Sequence, residues 1–220
     1  NDCEVFILDQ WVYDKEVMNP NWHKLLVFDL LENSGIEYDQ VLIVDSDTFI
    51  HPDAPNIFEE TDNKFCAVHN DGSYDWVMRS IETYSKHVFE GYMFDWSEYF
   101  NSGVMVVNKE HKTLFKDILE FYLTNQELVK GIQSNFGVGT DQPMINFFVQ
   151  KNRGKCRNSG GNNKIIQDIT VKSYIFTFST LDRGKKKNLR SLQTYKIMLP
   201  TCPRVHQTSF VRNWSSRGWC

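Results

Sequence analysis

An α/β domain is what this sequence predicts, on three observations. A strand, a helix and a second strand follow one another within the first 45 residues. The second strand holds four apolar residues in a row, Val41 to Val44, the pattern of a central strand covered on both faces. The chain is 220 residues long, within the size of one such domain. Strand, helix and strand at that spacing form a βαβ unit, whose strands run parallel.

The elements follow in order. CEVFILDQ, from Cys3, reads as the first strand, and NPNWHKLLVFDLLENSG as a helix apolar on most faces, and therefore buried, that stops at Ser34-Gly35. Val41 to Val44 run into Asp45-Ser46-Asp47, and the chain turns at His51-Pro52-Asp53. A short strand is expected around Phe65 to Val68, then an aromatic-rich connector from Tyr74 to Phe100, then a strand from Gly103 to Val107. Leu114, Phe115, Ile118, Leu119 and Tyr122 recur at helical spacing and predict a core-facing helix over Lys112 to Asn125. Asp141-Gln142-Pro143 starts another helix, with Pro143 suited to its first turn and Met144, Ile145, Phe147 and Phe148 as its apolar side. NRGKCRNSGGNNK, residues 152–164, has no apolar period and reads as a loop, and DRGKKKNLR, residues 182–190, as a second mobile segment. VKSYIFTF and TYKIMLP read as strands.

Composition excludes several function classes. A net charge of −4 and a pI near 5.9 leave no electrostatic footprint for nucleic acid. No apolar run approaches the roughly 20 residues that a membrane span needs. The five cysteines, Cys3, Cys66, Cys156, Cys202 and Cys220, are scattered without a C-x-x-C pair and read as buried or idle thiols, not as zinc ligands or a disulfide scaffold. Asn213-Trp214-Ser215 is an acceptor sequon for N-glycosylation should the chain enter a secretory compartment.

Two aspartates at the end of a buried strand require an explanation. Ligands of open α/β sheets sit at the carboxyl ends of strands, where Asp45 and Asp47 lie. Residues i and i+2 of an extended segment point the same way, and two carboxylates that close call for a cation between them. Oxygen ligands of this kind suit Mg²⁺ or Mn²⁺, which commonly bridge to nucleotide phosphates. Taken alone, the pair is equally served by one aspartate capping the turn before Pro52 while the other is solvated.

The surrounding motifs go further. The apolar strand ending in Asp45-Ser46-Asp47, Lys24 in NWHKLLVF, Phe100-Asn101-Ser102-Gly103-Val104, Asp141-Gln142 at a helix start and His206 after YKIMLP stand in one order along the chain. In that order the chain resembles the GT-A glycosyltransferases, most closely the retaining glycogenin and lipopolysaccharide galactosyltransferase type, with a weaker likeness to xylosyl- and galactomannan-type enzymes. The resemblance implies a single GT-A domain over residues 1–220 with a mixed, mostly parallel sheet flanked by helices. It implies a metal-dependent enzyme that moves a sugar from a nucleotide-sugar donor, a UDP-sugar, to a hydroxyl of a carbohydrate or other acceptor with retention. Asp45, Asp47 and His206 would hold Mn²⁺ or Mg²⁺. Lys24, Asp45, Ser46, Asn101, Ser102, Gly103 and Arg212 would contact the donor, and Asn101, Asp141 and Gln142 would orient the sugar at the reacting carbon. Simpler roles are open to the same residues: Lys24 on a helix surface, Asn101 bonding a turn, Asp141 as a charge at a helix start, His206 as an ordinary histidine.

The chain departs from the pattern at both ends. The family's first strand and helix, which grip the base and ribose, are missing before Cys3. An interior sheet position left vacant would strand backbone groups, so the expectation is that about 30 to 60 residues precede Asn1 in the natural protein, enough for a strand and a helix, and that the chain without them binds nucleotide sugar poorly. The family's closing lysine is absent from His206-Gln207-Thr208-Ser209-Phe210-Val211-Arg212, where Arg212 or the Lys185 to Lys187 loop would substitute. Tyr74 or Trp76 of the aromatic connector would meet the acceptor. An aspartyl-phosphate phosphohydrolase fails the reading frame, because Thr48 follows Asp47 immediately. A sugar nucleotidyltransferase and a catalytically silent sugar-binding domain remain as alternatives.

Overall fold

Val41 to Val44 lie in strand β2 (Gln40–Asp45), and all four side chains are buried. The computed structural model describes residues 3–8, 12–45, 48–51, 53–61, 63–70, 73–157, 167–168, 175–177 and 195–200. Val41 and Ile43 enter a large core with the helices, while Leu42 and Val44 enter a smaller one with Ile57, Cys66, Val104 and Val106. Burial on both faces is therefore as the continuous apolar run requires.

The remaining elements in chain order are β1 (Cys3–Leu8), a 3-10 helix (Pro20–Leu26) continuing into α1 (Val27–Asn33), β3 (Thr48–Ile50), α2 (Ile57–Glu60), β4 (Cys66–His69), α3 (Tyr74–His87), β5 (Phe100–Asn108), α4 (Lys112–Thr124), α5 (Gln126–Phe136), α6 (Gln142–Arg157), β6 (Gln167–Asp168), β7 (Ile175–Thr177) and β8 (Tyr195–Pro200). Among the described residues the strands form a six-stranded sheet of order β1-β8-β2-β5-β4-β6 and a two-stranded pair, β3 with β7. The mixture of helices and strands is α/β in composition. In the large sheet β1 with β8, β8 with β2, β2 with β5 and β5 with β4 are antiparallel, and β4 with β6 is parallel.

The expectation of a mostly parallel sheet is thus corrected: the sheet is mixed and mostly antiparallel. A continuous apolar run reports burial on two faces, and burial does not depend on the direction of the neighbouring strand. The strand–helix–strand reading holds in direction, with one strand interposed. β1 and β2 point the same way but do not pair, because β8 lies between them and is antiparallel to both. β2 thus has a partner on either side, β8 and β5.

The segment from Tyr74 to Phe100 is not a connector throughout, for its first half is the 14-residue helix α3. α6 extends to Arg157, into the stretch expected to be a loop; residues 158–166 and 182–190 lie outside the described residues. Cys66 is a buried free thiol, as expected. No helix among the described residues is long and apolar enough to cross a membrane. The main core is closed by stacked rings, Trp22 on Tyr122 at 3.9 Å and Phe89 on Phe147 at 3.5 Å, which fasten the 3-10 helix to α4 and the segment after α3 to α6.

Candidate functional site

The site is built where β2 ends, β5 begins and α6 starts. Asn19 begins the 3-10 helix by accepting the Asn21 amide on its side chain at 3.1 Å, with Pro20 in the first turn. Trp22, Leu25 and Leu26 are buried with the core, and Lys24 with them. The lysine does not lie on a helix surface. Its ammonium donates to Asp45 Oδ1 and to the Ser102 carbonyl, each at 3.0 Å, and lies 3.0 Å from Asp141 Oδ2. Its side chain is 1% exposed, against 6% for Asp141 and 35% for Asp45.

Burial by itself would push the Lys24 ammonium down, but the charges and hydrogen bonds of Asp141 and Asp45 outweigh it and hold the ammonium above its ordinary value. Lys24 is therefore a fixed cation. Among the described residues one ammonium meets two carboxylates, of which Asp45 is the more exposed.

Ser102 ties the cluster to the sheet. Its hydroxyl donates to Asp141 Oδ2 at 2.8 Å and its amide to Gln142 Oε1 at 3.3 Å. Asn101 accepts the Gly103 amide on its side chain at 2.7 Å, the local role that asparagine commonly plays. A Cβ at Gly103 would lie 2.7 Å from Asp45 Oδ2 and 3.0 Å from Asn101 Oδ1, so the absence of a side chain there makes room for both groups.

Asp141 is set by its own loop. Thr140 Oγ1 donates to Asp141 Oδ1 at 2.8 Å and accepts from Asn21 Nδ2 at 2.8 Å. The Tyr84 hydroxyl lies 2.8 and 2.9 Å from the carbonyls of Gly139 and Thr140 and accepts from Gln133. One turn into α6, Asn146 receives the Phe100 amide and donates to the Phe100 carbonyl, both at 2.9 Å. It thereby pins α6 to the start of β5.

Of the residues singled out from the sequence, Lys24, Asp45, Asn101, Ser102, Gly103, Asp141 and Gln142 are brought to this one end of the sheet. Ser46, Asp47, His206 and Arg212 lie outside the described residues, as does the Lys185 to Lys187 loop. Among the described residues no group of three or more histidine, cysteine or acidic side chains could hold a metal ion. Asp45 alone does not make a metal centre, and its Oδ1 is already bonded to Lys24. Asn21, Thr140 and Tyr84 were not legible as site residues. Thr140 carries a weak local signal, a hydroxyl residue just before a helix start, whereas Asn21 meets it across 119 positions with no signal at all. Comparison of the chain with protein-family models, with characterised proteins and with solved structures returns no match.

Proposed function

We propose that the chain is a metal-dependent glycosyltransferase of GT-A type that moves a sugar from a UDP-sugar to a hydroxyl acceptor with retention. The observation that supports it is the gathering of Lys24, Asp45, Asn101, Ser102, Gly103, Asp141 and Gln142, residues spread over more than half of the chain, around one buried ammonium at the mouth of the sheet. In this reading Asp45, the more exposed carboxylate of the cluster, faces the donor side. Asn101 and Gln142 orient the sugar, while Ser46 and Arg212 contribute to the donor from segments outside the described residues. Lys24 itself acts by holding Asp45 and Asp141 in place, and only through them on the donor. A divalent ion, Mn²⁺ or Mg²⁺ on Asp45, Asp47 and His206, would neutralise charge on the leaving diphosphate.

The test is UDP release from UDP-glucose, UDP-galactose, UDP-N-acetylglucosamine and UDP-xylose with Mn²⁺, by this chain and by one extended at its amino end. Release from at least one donor is expected, abolished by a chelator and by Asp45→Ala in a protein that still unfolds cooperatively. If neither chain releases UDP from any donor, or if Asp45→Ala retains full activity, the reading fails.

A further inference from the structure

Outside the buried charge cluster, two large aromatic rings are left in solvent side by side. Tyr74 is 60% exposed and Trp96 50%. Their centroids are 5.3 Å apart and their planes stand at 90°, so the pair forms a corner. Two adjacent exposed rings offer apolar faces to a ligand, and the turn that carries Trp96 is held rigidly. Asp95 accepts the Ser97 amide at 2.9 Å and the Ser97 hydroxyl at 2.6 Å, closing the turn that carries the ring. The Gln150 side chain on α6 grips the same turn from below, accepting the Asp95 amide at 2.8 Å and donating to its carbonyl at 3.0 Å. His69 at the end of β4 bonds the Ser97 carbonyl at 2.7 Å.

The corner belongs to the same end of the sheet as the charge cluster. The turn bearing Trp96 leads straight into Phe100 and Asn101, and His69 pairs with Phe100 in the β4–β5 ladder. The helix that starts at Tyr74 is seated on the loop before Asp141, for a Cβ at Gly139 would meet the Trp76 ring at 3.1 Å. Trp76 is half-buried and packed against the core, so of the two connector aromatics singled out from the sequence Tyr74 is the more exposed.

We propose that Tyr74 and Trp96 form a binding surface for a neutral saccharide, which in the transferase reading is the acceptor; the acceptor role rests on that reading, the saccharide surface does not. One face of a pyranose ring presents mainly C–H groups, polarised positive, and these match the negative face of an aromatic ring. Asp75 Oδ2 is taken up by Arg79 and Asp95 Oδ1 by Ser97, so recognition rests on the ring faces, and the carboxylate of Asp95 next to Trp96 disfavours an anionic sugar. A turn already fixed by Asp95, Gln150 and His69 loses little freedom when the sugar docks.

The test is saturation-transfer NMR on the intact chain with maltohexaose, cellohexaose and mannohexaose, and with sialyllactose as the anionic control. Transfer to the C–H protons of at least one neutral oligosaccharide is expected. It should weaken by about tenfold in Trp96→Ala, fall in Tyr74→Ala and persist in part in Trp96→Phe, with unchanged circular dichroism. No transfer from any neutral oligosaccharide, a preference for sialyllactose, or transfer unaltered in Trp96→Ala overturns the proposal. UDP release without a saccharide signal would sink this inference and leave the transferase standing. A saccharide signal that depends on Trp96 in a chain unable to release UDP would do the reverse.

Discussion

At Lys24 an ammonium is buried between two carboxylates, and its energetics differ from those of the surface pairs elsewhere in the molecule. Lys109 with Glu37 and Arg79 with Asp75 are exposed pairs, each worth little. Removing Lys24 would leave Asp45 and Asp141 facing one another with their cation gone. Lys24→Met should therefore cost about 3–5 kcal/mol, the usual penalty for breaking a buried pair from one side. Adding Asp141→Asn should recover part of that loss, because the second substitution removes the stranded charge. Urea unfolding of the single and double variants measures both. A Lys24→Met chain as stable as the wild type would mean that the ammonium is not buried between the carboxylates. The candidacy of Lys24 could be read from its place in the motif order, but its burial could not. Nothing within NWHKLLVF says that one polar residue of an apolar helix turns inward to partners 21 and 117 positions away.

Short elements that join strand to helix decide local pH sensitivity. Between β5 and α4 the Asn108 side chain accepts the Glu110 amide at 3.0 Å, and His111 Nδ1 accepts the Asn108 amide at 3.1 Å, a reciprocal cap. Burial pushes the His111 imidazole below its ordinary value of 6.5, against the charge of Glu110. His23, whose Nε2 accepts the Tyr13 amide at 3.3 Å, is lowered by burial too. With the folded value depressed, the unfolded chain takes up protons first, so this stability is present above about pH 6.5 and is lost as pH falls. The melting temperature should drop between pH 7 and pH 5, and His111→Asn should flatten that slope. A slope unchanged by the substitution would show that His111 is not the titrating group. At the same scale, α3 went unrecognised although Val77, Ile81 and Tyr84 carry a helical spacing and are buried. The many rings of its neighbourhood obscured a stripe that was present.

For the whole molecule the decisive element is β8, which joins residues near the end of the chain to the middle of the sheet. Ile197 pairs with Phe6 on one side and with Ile43 on the other. A proline there cannot donate to the ladder and is tolerated only at sheet edges. Ile197→Pro should abolish cooperative unfolding or lower stability by about 3 kcal/mol or more. If the variant melts like the wild type, β8 is not an interior strand. The α/β character, the burial of β2 on both faces, α4 and the motif residues of the site were all determined by the sequence itself. Side-chain periodicity and the chemistry of short motifs are local properties, written within a few residues. Strand order and direction, the 3-10 start of the first helix, the clamp on Lys24 and the corner made by Tyr74 and Trp96 were decided only by the tertiary structure. Each depends on which distant segments share a backbone ladder or a buried charge, and apolar burial, which drives the chain together, is indifferent to direction and to sequence separation.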